Sequence, residues 1–342
     1  MNELIKKSLN YIDVAVAVLR YDGLFLVAKR HAHQHQGGKL EFVGGKLERA
    51  ETAKAAVIRE VKEELGLAIE NNLITKLGVI THRYEDKHVR LWVYQVLLDE
   101  TQYQAYRHQK QGMDNQALYW LDKATIVGLS AQFPSANAPI LCWLALDEVV
   151  TISTALDKNS ANHEVFVTRY AATALCYLRL PDTPVSLYAH ILKRLIHQGS
   201  GRFIVPVGQY IKMIERGLLA QAELAQVAAL HLPQQTVEHL DKTWQARIIE
   251  SGKLVTASSH DKNSLNIINT LASQLPMWAV FVSPVLATNT HPDRLPLGWQ
   301  GLQELAEASH LPVIALGGMS RSLLPLAQQH GAVAVAGIRE FA

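Results

Sequence analysis

The sequence predicts an α/β protein of two domains: a mixed sheet with helices on both sides over residues 1–148, then a compact (β/α)8 TIM barrel over residues 164–342. Three observations lead there. At 342 residues the chain is long enough for two full cores. Before residue 122, strand-length apolar runs separated by turn signals surround one strongly helical segment. After residue 163, eight short apolar runs alternate with helix-length stretches.

Taken in order, Ile12 to Leu19 and Leu24 to Ala28 read as strands joined by a turn at Tyr21-Asp22-Gly23. His31 to Gly38 is a polar loop whose His31, His33 and His35 are expected in solvent, without zinc-type spacing. Leu40 to Val43 is strand-like, and Lys46 to Arg49 is a loop. Ala53 to Leu65 is rich in helix formers, and Val57, Val61 and Leu65 recur every four residues as a buried stripe. Gly66 is the stop signal. Ile74 to His82, Val89 to Leu98 and Ala117 to Leu121 read as further strands, and Ala136 to Leu146 as an amphipathic helix.

Residues 149–163 turn small and polar and are expected to be a linker. Barrel strands are expected at Val165 to Thr168, Ala174 to Leu178, Phe203 to Val207 and Val227 to Leu232. Four more are expected at Leu254 to Ala257, Trp278 to Val282, Val313 to Leu316 and Ala332 to Ala336. The alternative is an open doubly wound sheet; the strand count and the Gly317-Gly318 pair after the seventh strand favour the barrel.

Chemistry is concentrated between Gly45 and Leu67, which read GKLERAETAKAAVIREVKEELGL. Glu60, Glu63 and Glu64 lie three and four positions apart, so their carboxylates crowd one region of the helix surface. Like charges this close repel unless a cation neutralises them, and a hard cation such as Mg²⁺ prefers oxygen ligands. Gly45, Glu51, Arg59, Glu60, Glu63, Glu64 and Gly66 fit the spacing G-x5-E-x7-R-E-U-x-E-E-x-G-U, with Val61 and Leu67 at the aliphatic positions U. This segment resembles the Nudix box, the signature of hydrolases that cleave nucleoside diphosphates linked to another group. The resemblance implies a Nudix α/β/α sandwich for the first domain.

Half the residues are apolar and the net charge is +2, which predicts a globular protein and argues against polymeric nucleic acid as a partner. Two cysteines, Cys142 and Cys176, cannot build a disulfide framework, so a cytoplasmic location is expected. The run Val14 to Leu19 is too short for a signal segment, and no span has membrane-crossing length.

The stretches KLEFVGGKLE, RLWVYQV and FPSANAPI are similar to the MutT branch of the Nudix family, which hydrolyses oxidised guanine nucleotides, chiefly 8-oxo-dGTP, to the monophosphate and pyrophosphate. The resemblance implies that Arg30, Phe42 and Asn137 meet the purine, with Asn137 offering an amide to the base and Phe42 an apolar contact. It implies Mg²⁺, with Mn²⁺ as the alternative ion, held by Glu60, Glu63, Glu64 and a carbonyl near Gly44. Glu60 is then the base candidate, Arg59 holds Glu51 and the loop, and Lys46 and Arg30 offset phosphate charge. Two positions depart from the pattern: Val43 stands where Pro is usual, and Gln111 replaces a Glu in the Lys-Glu-Gly loop.

Residues 164–342 resemble thiamine phosphate synthase and the related thiazole tautomerase branch through ASSHDKNSL, VSPVLATNTHPDRLPLGWQGL and LPVIALGGMSRS. The resemblance implies a phosphate site at Gly317 and Gly318, with Thr288 and Thr290 as loop hydroxyls and His260 as a candidate proton-transfer group. The carboxylates that the synthase places after its second, third and fourth strands are replaced here by Arg179-Leu180-Pro181, Pro206-Val207 and Pro233-Gln234-Gln235, and His291 stands for a Lys. Metal-assisted synthesis of thiamine phosphate is therefore not expected. Three functions follow. The leading one is a Mg²⁺-dependent 8-oxo-dGTP pyrophosphohydrolase acting in nucleotide-pool sanitation and DNA repair. A second is a thiamine-pathway enzyme whose Nudix half hydrolyses thiamine or pyrimidine diphosphates. The third makes the barrel a sensor of a thiamine-related phosphate.

Overall fold

The computed structural model describes residues 11–157, 163–288, 295–338 and 340–341; Thr290 and His291 lie outside them. The chain falls into two compact units, divided between Ala145 and Leu146.

The first unit is built on β1 (Tyr11–Tyr21), β2 (Leu24–Lys29), β3 (Leu40–Glu41), β4 (Val43–Lys46), α1 (Ala53–Leu65), β5 (Leu73–Arg83), β6 (His88–Leu97), α2 (Glu100–Tyr106), β7 (Ala117–Asp122), α3 (Lys123–Gly128) and α4 (Ala138–Leu144). The sheet is mixed: β1 runs parallel to β6 but antiparallel to β2 and β4. The single strand expected over Leu40 to Val43 is two short ones. β3 pairs with β2 and β4 with β1, so the chain changes partner at Phe42. Helix α1 buries Ala56, Val57, Val61 and Leu65 on Ala15, Ala17, Leu19 and Val43. The small Ala15 and Ala17 let its backbone approach the sheet, and this close seat fixes where its opposite, acidic face points. The helix expected over Ala136 to Leu146 is a 3₁₀ turn, Ser135–Asn137, followed by α4.

The second unit is a closed barrel of eight parallel strands: β8 (Val149–Ile152), β9 (Leu175–Tyr177), β10 (Arg202–Pro206), β11 (Val227–Leu232), β12 (Leu254–Ser259), β13 (Met277–Val282), β14 (Val313–Leu316) and β15 (Ala334–Gly337). The first strand corrects the sequence reading. Val149 to Ile152, assigned to a linker, pairs with both β15 and β9 and closes the cylinder. Its four residues are followed by a polar stretch that hid them; Thr151, buried, donates to the Phe341 carbonyl at 2.8 Å. Val165 to Thr168 is not a strand but part of α5 (Glu164–Ala171). Its β-branched residues suggested a strand, yet Val167, Tyr170 and Ala171 are buried at helical spacing while Val165 faces solvent. Tyr177, His231 and Phe281, from the alternate strands β9, β11 and β13, meet inside the barrel with ring centroids 4.5 to 6.1 Å apart.

Candidate active site

Helix α1 is held at both ends. Thr52 takes the N-cap and accepts from the Ala55 amide at 3.2 Å, and Gly66, in the left-handed conformation, donates to the Lys62 carbonyl at 2.8 Å. The two glycines before the helix are demanded by close approach. A Cβ on Gly44 would overlap the Ala15 carbonyl of β1, and one on Gly45 would overlap the carboxylate of Glu60. With these glycines in place, the acidic face of α1 lies directly on the strand backbone. The Gly44 amide donates to Glu64 Oε1 at 3.0 Å.

Arg59 organises the rest. Its Nε and Nη2 bind the two oxygens of Glu51 at 2.9 and 3.0 Å, and its Nη1 reaches Glu60 at 2.8 Å and Glu63 at 3.0 Å. A further bond, from Nη2 to the Lys46 carbonyl at 3.1 Å, ties the loop before the helix to the same guanidinium. The Arg59 side chain holds the Glu51 carboxyl below its ordinary pKa, and the carboxylates around it raise the pKa of Arg59. Burial acts the other way on Glu60 and Glu64. It raises Glu60 against the pull of Arg59, and it pushes Glu64 up to about 8, with Glu41 and Glu60 nearby adding to the effect and the Gly44 amide opposing it. Glu63 is exposed. Lys46 is also exposed.

The other expected contacts lie along the neighbouring edge. Phe42 is 4% exposed and stacks on Phe133 at 5.4 Å, so most of its ring is spent within the fold. Arg30 pairs with Glu41 and donates to the His35 carbonyl at 3.0 Å, which makes it a clasp for the 31–38 loop rather than an open cation. Asn137 is half-buried at the start of α4, and its side chain does not cap that helix.

In the barrel, Gly317 and Gly318 both have positive φ, 93° and 66°. A Cβ on either would strike the segment after β13, at Pro284 and Leu286 respectively, so close backbone approach accounts for both glycines. Thr288 ends the described part of that segment and is half-buried. The His260 ring bonds the Ser283 carbonyl at 2.5 Å and its hydroxyl at 3.1 Å, linking the ends of β12 and β13. His231 is a feature that sequence reading missed. It is 2% exposed, with Nδ1 3.0 Å from the Thr256 hydroxyl and Nε2 3.0 Å from that of Ser258. Burial, with Arg179 adding to it, drives its pKa down to about 3, so the ring is neutral.

Residues 14–142 match the family described as NUDIX domain, and residues 212–341 match that described as Thiamine monophosphate synthase. An 8-oxo-dGTP diphosphatase from Escherichia coli (strain K12) is 32% identical over 136 residues, which are 39% of this chain and 95% of that protein. The chain belongs to the Nudix family. A Nudix relative from Proteus vulgaris, also an 8-oxo-dGTP diphosphatase, is 37% identical over 86 residues, 25% of this chain and 73% of that protein. A thiamine-phosphate synthase from Synechococcus sp. (strain WH7803) is 31% identical over 148 residues, 43% of this chain but 37% of that protein. The first domain is a Nudix pyrophosphohydrolase and the second is a thiamine-phosphate synthase-like domain. No helix among the described residues is long and apolar enough to cross a membrane.

Nudix hydrolases generally use divalent metal ions, and the donor set here suits one. Glu60, Glu63 and Glu64 offer hard oxygen ligands on one helix face, and burial raises the pKa of Glu60 and Glu64. Among the described residues no three such side chains converge on one point. Arg59 draws Glu60 and Glu63 to itself, and Glu64 turns to the Gly44 amide. Gly44 thus engages the Nudix helix through its N–H. Behind Glu64 stands Gln116, buried, whose Nε2 lies 3.3 Å from the Glu64 carbonyl and 3.4 Å from Oε2. Its distance along the chain left no signal in the sequence. Gln111, the departure from the Nudix pattern, is exposed in an isolated bridge to Ala117.

Proposed function

We propose that the Nudix domain hydrolyses 8-oxo-dGTP to 8-oxo-dGMP and pyrophosphate, with Mg²⁺ as its ion and Mn²⁺ as a substitute, and so cleans the cytoplasmic nucleotide pool ahead of DNA repair. The observation that carries the purine reading is the Asn137 side chain. It opens α4 without capping it, in the segment that follows Phe133, which stacks on Phe42, and so keeps an amide available for a base. The names of the Escherichia coli and Proteus vulgaris relatives support the same substrate.

The ion would be held by Glu60, Glu63 and Glu64, and it supplies charge neutralisation for phosphate oxygens and polarisation of water. Glu60, half-buried and raised by burial, orients the attacking water and takes its proton. Arg59 keeps Glu51 and the Lys46 carbonyl in place, which holds the loop against the helix. Lys46, exposed at the end of β4, offsets charge on the leaving pyrophosphate. Arg30 acts through the 31–38 loop that it clasps.

For the barrel, we infer binding of a phosphorylated small molecule of thiamine-related chemistry at Gly317 and Gly318, with Thr288 beside them, without joining of the two halves of thiamine. The missing carboxylates after β9, β10 and β11 support this, since Arg179-Leu180-Pro181, Pro206-Val207 and Pro233-Gln234-Gln235 offer no carboxylate at those positions to hold an ion against a diphosphate. A hydrolysis panel tests the whole reading: 8-oxo-dGTP, dGTP and thiamine diphosphate, each with Mg²⁺, with Mn²⁺ and after chelation. Preference for 8-oxo-dGTP, lost on chelation, is expected. Faster release of phosphate from thiamine diphosphate would favour the thiamine-pathway reading instead.

A further inference from the structure

Three loops of the Nudix domain meet beyond the end of β5 through a chain of side chains. His82, near that end, is half-buried and its Nε2 lies 3.1 Å from the hydroxyl of Ser135, the first residue of the 3₁₀ turn Ser135–Asn137. On its other side the His82 ring packs edge-on against Tyr84 with centroids 4.6 Å apart. Tyr84 in turn meets His35 of the 31–38 loop at 5.0 Å, again edge-on. Each end of this chain is anchored. The Tyr84 amide donates to the Lys87 carbonyl at 2.9 Å, His35 lies 3.9 Å from Asp86, and Arg30 grips the His35 carbonyl. At the far end the Asn137 amide closes the turn on the Pro134 carbonyl at 2.9 Å.

We propose that His82 is a positioning residue for base recognition: its bond to Ser135 sets the turn that presents Asn137, and Tyr84 joins that turn to the 31–38 loop. The proposal rests on Asn137 reading the base. The need for such a device follows from the local structure. The turn is a single 3₁₀ turn without a side-chain cap, preceded by Pro134, and such a turn has few bonds of its own to define where Asn137 points. Two backbone hydrogen bonds, from the Asn137 amide to the Pro134 carbonyl and from the Ala138 amide to that of Ser135, close the turn, and the side chain of Ser135 ties it to β5. Burial lowers the pKa of His82, so its ring stays neutral and takes the Ser135 hydroxyl as a hydrogen-bond partner near pH 7.

The test uses the full chain with His82→Ala, His82→Gln, Ser135→Ala and the double alanine variant. Steady-state hydrolysis of 8-oxo-dGTP is measured together with amide hydrogen exchange across residues 133–138. His82→Ala and Ser135→Ala should each raise KM about fivefold with kcat nearly unchanged, the loss of one ordinary hydrogen bond. The double variant should lose no more than either alone, because both changes break the same tie. His82→Gln, whose amide reaches the place of Nε2, should recover most of the loss. Faster exchange at Asn137 in the alanine variants is expected whatever the substrate. Unchanged exchange there would overturn the positioning role. If exchange quickens but Asn137→Ala leaves nucleotide kinetics intact, the turn is positioned as argued and it is the base-reading role of Asn137 that fails, which overturns the link to recognition.

Discussion

Acid should loosen the barrel through His231. The ring is fully enclosed between Thr256, Ser258, Tyr177 and Phe281, and its pKa falls from the ordinary 6.5 to about 3. Because the folded value is depressed, the unfolded chain takes up the proton first, and folding stability is complete above about pH 6.5. Below that it declines until the folded value is reached. At 1.36 kcal/mol per pH unit, about 2 kcal/mol is gone by pH 5 and about 5 kcal/mol by pH 3. His231→Gln keeps polar atoms toward the two hydroxyls but does not titrate. Urea unfolding of both proteins at pH 7, 6 and 5 isolates the contribution, since every other titrating group is common to the pair. The variant should be less stable at pH 7, and the gap should shrink by about 2 kcal/mol at pH 5. Parallel pH profiles would refute the claim that a neutral, proton-refusing His231 is built into the barrel.

Glu60→Gln should abolish hydrolysis while leaving the melting temperature close to that of the parent; near-normal turnover in the folded variant would remove Glu60 from the role of base. Asn137→Ala should weaken 8-oxo-dGTP hydrolysis by about 1–3 kcal/mol more than hydrolysis of dATP, as expected for a lost base-reading bond. An equal loss on both nucleotides would return Asn137 to a purely structural place. Gly45→Ala should lower kcat more than stability, because the new methyl overlaps the movable carboxylate of Glu60. A circular dichroism melt beside the rate measurement separates the two effects, and unchanged kcat would mean that the carboxylate has room to spare.

What the sequence disclosed depended on how local the determinants were. Helix α1 runs over Ala53–Leu65 as its spacing predicts, since the buried stripe, the acidic face and Gly66 are all encoded within one short segment. Strands β11 and β14 also fall where their apolar runs place them. Val165 misled because β-branched residues carry a strand preference that burial on one helical face overrides. Gln116 behind Glu64, and the tie from His82 to Ser135, join residues 52 and 53 positions apart, and no local pattern marks such pairs. The resemblance singles out Arg30 but not its partner Glu41, and that partner decides where its charge goes.

The short strand β8 has a practical consequence for dissecting the chain. Both of its edges are occupied, one by β15 and the other by β9. A fragment beginning after residue 157 would therefore not be a barrel with a shortened lead-in. It would be an open sheet with two raw edges, each offering unpaired backbone groups to a neighbouring molecule. Such a fragment invites aggregation or strand exchange, and any activity missing from it would say nothing about the intact domain. Separation of the two halves belongs at Leu146, where the compact units divide and the closing strand stays with the cylinder that it completes.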